Sequence, residues 1–236
     1  VYDSNLIERI GLSGNALTSF DASPYSNLKE LDLQNNQLVS LDTTNNTLLG
    51  ALSLNVNPLT NLVINSAYLL DLRVSHTELT GLDLRQSVEL DYLDISHTPE
   101  LAGLDLSHLT KLRELNISGL DQSLINNAQF PSVESLFVSY ANLTSFDTTG
   151  LANLKYLNLE GNQISDFSQV IIDKPAQLLD LNILQNPLTE LDISQFSNLT
   201  SLNINETNIT NLDFTNNITL KWVYANRAKI TTVTGI

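Results

Sequence analysis

The chain carries three histidines, each in a Ser-His dipeptide: Ser75-His76, Ser96-His97 and Ser107-His108. With Asp71, Asp91 and Asp94 nearby, two chemistries suggest themselves. Paired imidazoles at His76 and His97 plus one carboxylate could hold a zinc ion. Ser96, His97 and Asp94 could serve as nucleophile, base and orienting acid. The second idea fails on geometry, because adjacent residues of a strand point to opposite faces. A plainer account covers both: V-S-H-T at 74–77 and I-S-H-T at 95–98 are copies of one unit. No catalytic residue is assigned, and His76 and His97 stand as the only metal candidates. Cysteine is absent, which excludes disulfides, thiolate metal sites and Cys nucleophiles.

A column of acids is the second chemical feature. Asp21, Asp42, Asp83, Asp105, Asp147, Asp192 and Asp213 recur at one register, broken by Val63 and Ser168. Carboxylates one coil apart would repel by about 1 kcal/mol in a water-like dielectric, so a structural gain must offset them. Side-chain bonds to the N–H groups of the following turn supply it. Calcium is the alternative, but one ligand per coil does not converge on an ion. No cofactor is therefore expected.

Both patterns come from a repeat that must position them. The frame L-x-x-L-x-L-x-x-N-x-L-x-x-L-D appears at 28–42 and again, as L-L-D-L-N-I-L-Q-N-P-L-T-E-L-D, at 178–192. Repeats start at Ile7, Leu28, Leu49, Leu69, Leu90, Leu112, Val133, Leu154, Leu178, Leu199 and Leu220. Their fourth and sixth positions are apolar and alternate with polar ones, the period of a short strand. Such a strand has little core of its own and is stable only when stacked on copies. The ninth position carries Asn15, Asn36, Asn57, Asn162 and Asn186, with Thr77, Thr98 and Thr207 as substitutes. There the chain leaves the strand, and a carboxamide can bond both N–H and C=O groups that lose their sheet partners. The unit starting at 112 lacks the Asn and runs irregularly over 120–131. The unit starting at 154 has three extra residues around 168–175, read as one helical turn stopped by Pro175. No inter-domain linker is visible, so 1–236 reads as one array.

This frame resembles the leucine-rich repeat family, in particular the 21-residue class of bacterial surface and secreted proteins. Asn36-Gln-Leu38-Val-Ser-Leu41-Asp42 looks like the repeats of internalin-like and Bacteroidetes-type extracellular proteins. The resemblance implies an α/β-type, β-dominated solenoid, a right-handed superhelix with a parallel concave sheet of about eleven short strands. Its convex side would hold turns, β pieces and 3₁₀ pieces. It implies a concave face that binds another protein, and no catalytic residues.

Composition sets the outer bounds. Lys and Arg number 11 against 26 Asp and Glu, a net charge of −15. That field disfavours nucleic acid and anionic membranes as partners. No apolar run approaches the ~20 residues of a spanning helix, and no signal peptide is visible. Met is absent even at residue 1, so a mature or trimmed fragment is expected, with any targeting segment outside it.

On the strand face most outward residues are small or polar, so aromatic ones stand out. Tyr92, Phe137, Tyr140, Tyr156 and Leu184 are the candidate ligand-binding residues, with Trp222 and Tyr224 as a second aromatic site that could equally cap the array. The expected function is non-catalytic recognition or adhesion by a bacterial secreted or cell-surface protein. The ligand would be a protein, such as a host or surface protein. The alternatives are a glycan-binding surface protein and a structural spacer presenting another domain.

Overall fold

A computed structural model describes residues 4–120 and 130–235. They fall into two compact units, Val1–Phe130 and Pro131–Ile236. Each is a β-solenoid of short parallel strands.

The first unit holds β1 (Arg9–Gly11), β2 (Glu30–Asp32), β3 (Ser40–Asp42), β4 (Ala51–Ser53), β5 (Asn61–Val63), β6 (Asp71–Arg73), β7 (Tyr92–Asp94) and β8 (Glu114–Asn116). Strands β1, β2, β4, β6, β7 and β8 pair in that order, all parallel. The second unit holds β9 (Ser135–Phe137), β10 (Phe146–Asp147), β11 (Tyr156–Asn158), β12 (Val170–Ile171), β13 (Asp180–Asn182), β14 (Ser201–Asn203), β15 (Asn211–Asp213), β16 (Trp222–Tyr224) and β17 (Thr232–Thr234). Here β9, β11, β13, β14 and β16 form the main sheet. Small parallel pairs, β3–β5, β10–β12 and β15–β17, line the return segments.

Register follows the repeat. Leu31, Leu52, Leu72, Leu93 and Leu115 are opposite one another in turn, as are Leu136, Leu157, Leu181 and Leu202. All nine are essentially excluded from water. Repeat lengths of 20, 22 and 24 residues leave that register untouched, so the return segments absorb every difference. Burying a Leu is worth about 1.5–3 kcal/mol, and a one-residue slip would turn this column outward.

The irregular stretch 121–129 lies outside the described residues. Around 168–175 the structure departs from expectation. Two 3₁₀ turns form, Phe167–Gln169 and Pro175–Gln177, with β12 between them. Pro175 opens the second turn rather than stopping the first, because its fixed φ suits an N-terminal helical position. Among the described residues no helix is long and apolar enough to cross a membrane.

Candidate functional site

The ladder side chains spend their polar atoms on the fold. Nδ2 of Asn57 donates to Leu54 O of its own coil and Leu33 O of the preceding one, at 2.9 and 3.0 Å, while Oδ1 accepts from Leu38 N at 2.9 Å. Asn36, Asn162 and Asn186 repeat this arrangement. Asn15, in the first coil, donates only locally, to Leu12 O. Thr77 and Thr207 reach only their own coil, at Val74 O and Ile204 O. Each Asp of the column, from Asp21 to Asp213, accepts the N–H two residues on, at 2.7–3.1 Å. The hydroxyl of that same Ser or Thr, then the N–H, holds Asp21, Asp42, Asp105, Asp147 and Asp213 below the ordinary carboxyl pKa; at Asp192 the N–H leads, and at Asp83 the Arg85 guanidinium does. Where Ser168 interrupts the column, Asp166 takes the role two residues earlier and caps the 3₁₀ turn.

A further column was not anticipated. Every eighth position, from Gly14 and Asn35 to Arg227, has φ between 52° and 72°. Backbone N–H groups there still bond the next coil, as Tyr140 N does to Glu160 O at 2.9 Å and His97 N to Ser118 O at 2.8 Å. The chain therefore turns left-handed while the ladder continues, whatever the side chain.

Tyr140 occupies this column and is 50% exposed. A Cβ on the next eighth residue, Gly161, would collide with its ring, so the ring lies directly on bare backbone. Its hydroxyl donates to Glu160 Oε1 at 2.6 Å and reaches Gln185 Oε1 at 3.4 Å. The Glu160 bond raises the phenol's pKa. Gln185 continues to Glu206 at 2.9 Å, and Arg227 closes on Glu206 at 3.1 Å. Leu184, beside Gln185, is half-buried. Phe137 is half-buried on β9, and Tyr156 is 43% exposed on β11, diagonal to it across the pairing Tyr156–Ser135. Tyr92 belongs to the first unit, and Arg73 covers its ring at 4.6 Å from the centroid while bonding Asp71 twice at 2.9 Å. Tyr92 is half-buried, with one ring face under Arg73. Trp222 and Tyr224 are exposed on β16, with Lys221 Nζ 5.9 Å from the Trp222 ring.

His76 and His97 of the first unit also lie in the left-handed column. The rings of His76 and His97 are 4.5 Å apart, and His97 rests on Gly119 as Tyr140 rests on Gly161. Burial, then His76, lowers the His97 pKa. His108 bonds Leu84 O at 2.9 Å. Among the described residues no three His, Cys, Asp or Glu side chains cluster closely enough to hold a metal. Ser96 Oγ donates to Asp94 at 2.7 Å, so hydroxyl and carboxylate are bonded to each other without the imidazole between them.

No protein-family model and no curated protein matches the chain. Solved structures do. The functional domain of InlJ from Listeria monocytogenes, which includes a cysteine ladder, matches with a TM-score of 0.77 at 28% identity, over 95% of this chain and 50% of that one. An internalin, inlF, from the same species matches with a TM-score of 0.77 at 21% identity, over 98% and 81%. YopM, a leucine-rich effector protein from Yersinia pestis, matches with a TM-score of 0.72 at 23% identity, over 97% and 63%. The chain has the leucine-rich repeat fold. It spans about half the length of the InlJ domain. Within the leucine-rich repeat fold this chain has no cysteine ladder; its side-chain ladders are of Asn, Thr and Asp. Sequence reasoning missed Gly161, Glu160 and Gln185, which immobilise Tyr140. A glycine one repeat after an aromatic eighth position is the signal that could have found them.

Proposed function

We propose that the chain is a non-catalytic protein-recognition module of a bacterial secreted or cell-surface protein, of the internalin-like 21-residue class. The observation that carries this is Tyr140. An exposed ring seated on Gly161 and held through its hydroxyl loses little freedom on binding, which is what a hot-spot residue needs. Leu184 adds apolar area beside it, and Gln185, Glu206 and Arg227 form a polar rim. The charge of −15 argues against a polyanionic ligand. The bacterial structural neighbours support the compartment, and protease accessibility on intact cells tests it.

The decisive experiment screens the immobilised chain against purified extracellular proteins. Tyr140→Ala should weaken a retained partner about thirtyfold, the equivalent of ~2 kcal/mol, without moving the melting temperature. Equal affinity in that variant rejects the assignment. A second reading, a glycan ligand, is favoured by the row Asn158, Asn182, Asn203 set between aromatic rings on the sheet of the second unit.

A further inference from the structure

In the main sheet of the second unit, the fifth repeat positions run Phe137, Asn158, Asn182, Asn203, Tyr224 from β9 to β16. Rings bracket three carboxamides. The third positions echo this, with Tyr156 near one end, Asp180 and Ser201 between, and Trp222 at the other end. Trp222 is 53% exposed.

The carboxamides have a fixed orientation. Oδ1 of Asn158, Asn182 and Asn203 accepts the N–H of Glu160, Leu184 and Asn205 at 2.9, 3.1 and 3.1 Å. Each Nδ2 is then left for another acceptor. Asn182 Nδ2 reaches only Glu160 Oε2, at 3.4 Å. Among the described residues, Nδ2 of Asn158 and of Asn203, the Asp180 carboxylate and Ser201 Oγ bond nothing in the protein. A row of oriented donors thus repeats once per strand, about every 4.8 Å.

That repeat discriminates between ligands. An extended peptide presents same-side groups about every 6.6 Å and falls out of step within two strands. An extended β-1,4-linked pyranose chain, whose successive rings face opposite ways, repeats its same-side groups every second residue, nearly two strand spacings, and so stays in step with every second strand. The placement of the rings agrees. A protein hot spot gathers aromatic anchors at its centre with polar groups around them, whereas here the polar groups are central and the rings terminal, as ledges for sugar faces. Asp180 at the middle opposes an anionic sugar.

We infer that this five-stranded face binds a linear neutral oligosaccharide of about four residues, matching four strand spacings, about 19 Å. The inference goes beyond the Tyr140 edge and rests on the reading above only in taking the chain for a recognition module.

Calorimetric titration of the whole chain with linear β-1,4 tetrasaccharides of glucose, mannose, xylose and N-acetylglucosamine tests it. At least one should bind. Trp222→Ala and Tyr156→Ala should each weaken that binding at least tenfold. The double variant Asn158→Asp, Asn203→Asp keeps the Oδ1 acceptor, a role Asp32 and Asp94 already fill for Gln34 and Ser96, and turns two outward donors that bond nothing in the protein among the described residues into charged acceptors. It should melt like the parent and bind at least fivefold more weakly, while Tyr140→Ala binds normally. No binding by any of the four sugars, or unchanged affinity in the Asn→Asp variant, overturns the inference. A protein partner lost by Tyr140→Ala in a chain that binds no sugar would leave the protein reading standing alone.

Discussion

At the ninth position one carboxamide satisfies an N–H and two C=O groups on adjacent coils, so its chemistry cannot be replaced by shape. Asn57→Leu keeps the branched skeleton and strands Leu38 N–H and the carbonyls of Leu54 and Leu33. At about 1–3 kcal/mol per buried unsatisfied group, three stranded groups should cost about 3 kcal/mol or more in urea unfolding. Asn57→Thr should cost roughly half, because Thr77 shows the own-coil bond surviving. Equal costs would mean that the own-coil bond contributes nothing. Gly161→Ala probes the other column. It adds a Cβ at φ 67°, which alone costs about 1–2 kcal/mol, and it must also displace the Tyr140 ring. A stability loss with partner affinity unchanged would refute the claim that Gly161 seats the ring. The Asn and Asp columns were legible in the sequence because one residue type recurs at one spacing. The left-handed column was not, since Asn, Val, His, Tyr, Gln, Glu, Arg and Gly share no chemistry. Backbone hydrogen bonds impose that conformation.

Elements of three residues are held by register and by the turns that end them, and both show a limit of reading by period. Alternation correctly puts Leu31 and Leu33 inside, yet it also predicts outward seventh positions, whereas Ser75, Ser96, Ser118 and Ser139 are buried. The fifth position, read as merely small and polar, caps the turn at Asp32, Asp94, Asn116, Asn158, Asn182 and Asn203. The Arg73 guanidinium over Tyr92 is apparent only once strands are paired, because it comes from the diagonal neighbour. The Asp turns carry a pH prediction. Their folded pKa values lie below the unfolded value of ~3.9, so the folded state binds fewer protons. The stability they contribute is complete above the unfolded pKa and is lost as pH falls through the folded values. Urea midpoints should therefore fall steeply below about pH 4. Asp42→Asn retains an acceptor that does not titrate, so its midpoint should fall less. Parallel acid profiles for Asp42→Asn and the parent would show that the turn bond adds nothing.

For the molecule as a whole, the net charge of −15 acts with the opposite sign to the turns. At pH 7 the folded chain holds like charges closer together than the unfolded chain does, and self-repulsion lowers its stability. Acidification toward the pI of about 4.3 removes that repulsion before the Asp bonds are lost. The stability profile should thus rise gently from pH 7 to about pH 5 and collapse below about pH 4. Salt separates the two effects. Raising NaCl from about 10 mM to about 0.5 M shortens the screening length from about 30 Å to about 4 Å. A screening length of about 4 Å is short enough to weaken the overall repulsion and still longer than the turn bonds of 2.7–3.1 Å, which it leaves intact. Added salt should therefore raise the melting temperature at pH 7 and leave it nearly unchanged near the pI. The exposed pairs Lys29–Glu8, Lys111–Glu89 and Arg113–Asp91 pull weakly the other way, since surface pairs contribute about 0–1 kcal/mol each and are screened. A melting temperature that falls with salt at pH 7 would mean that these inter-coil pairs outweigh the excess negative charge, reversing the order of the two effects.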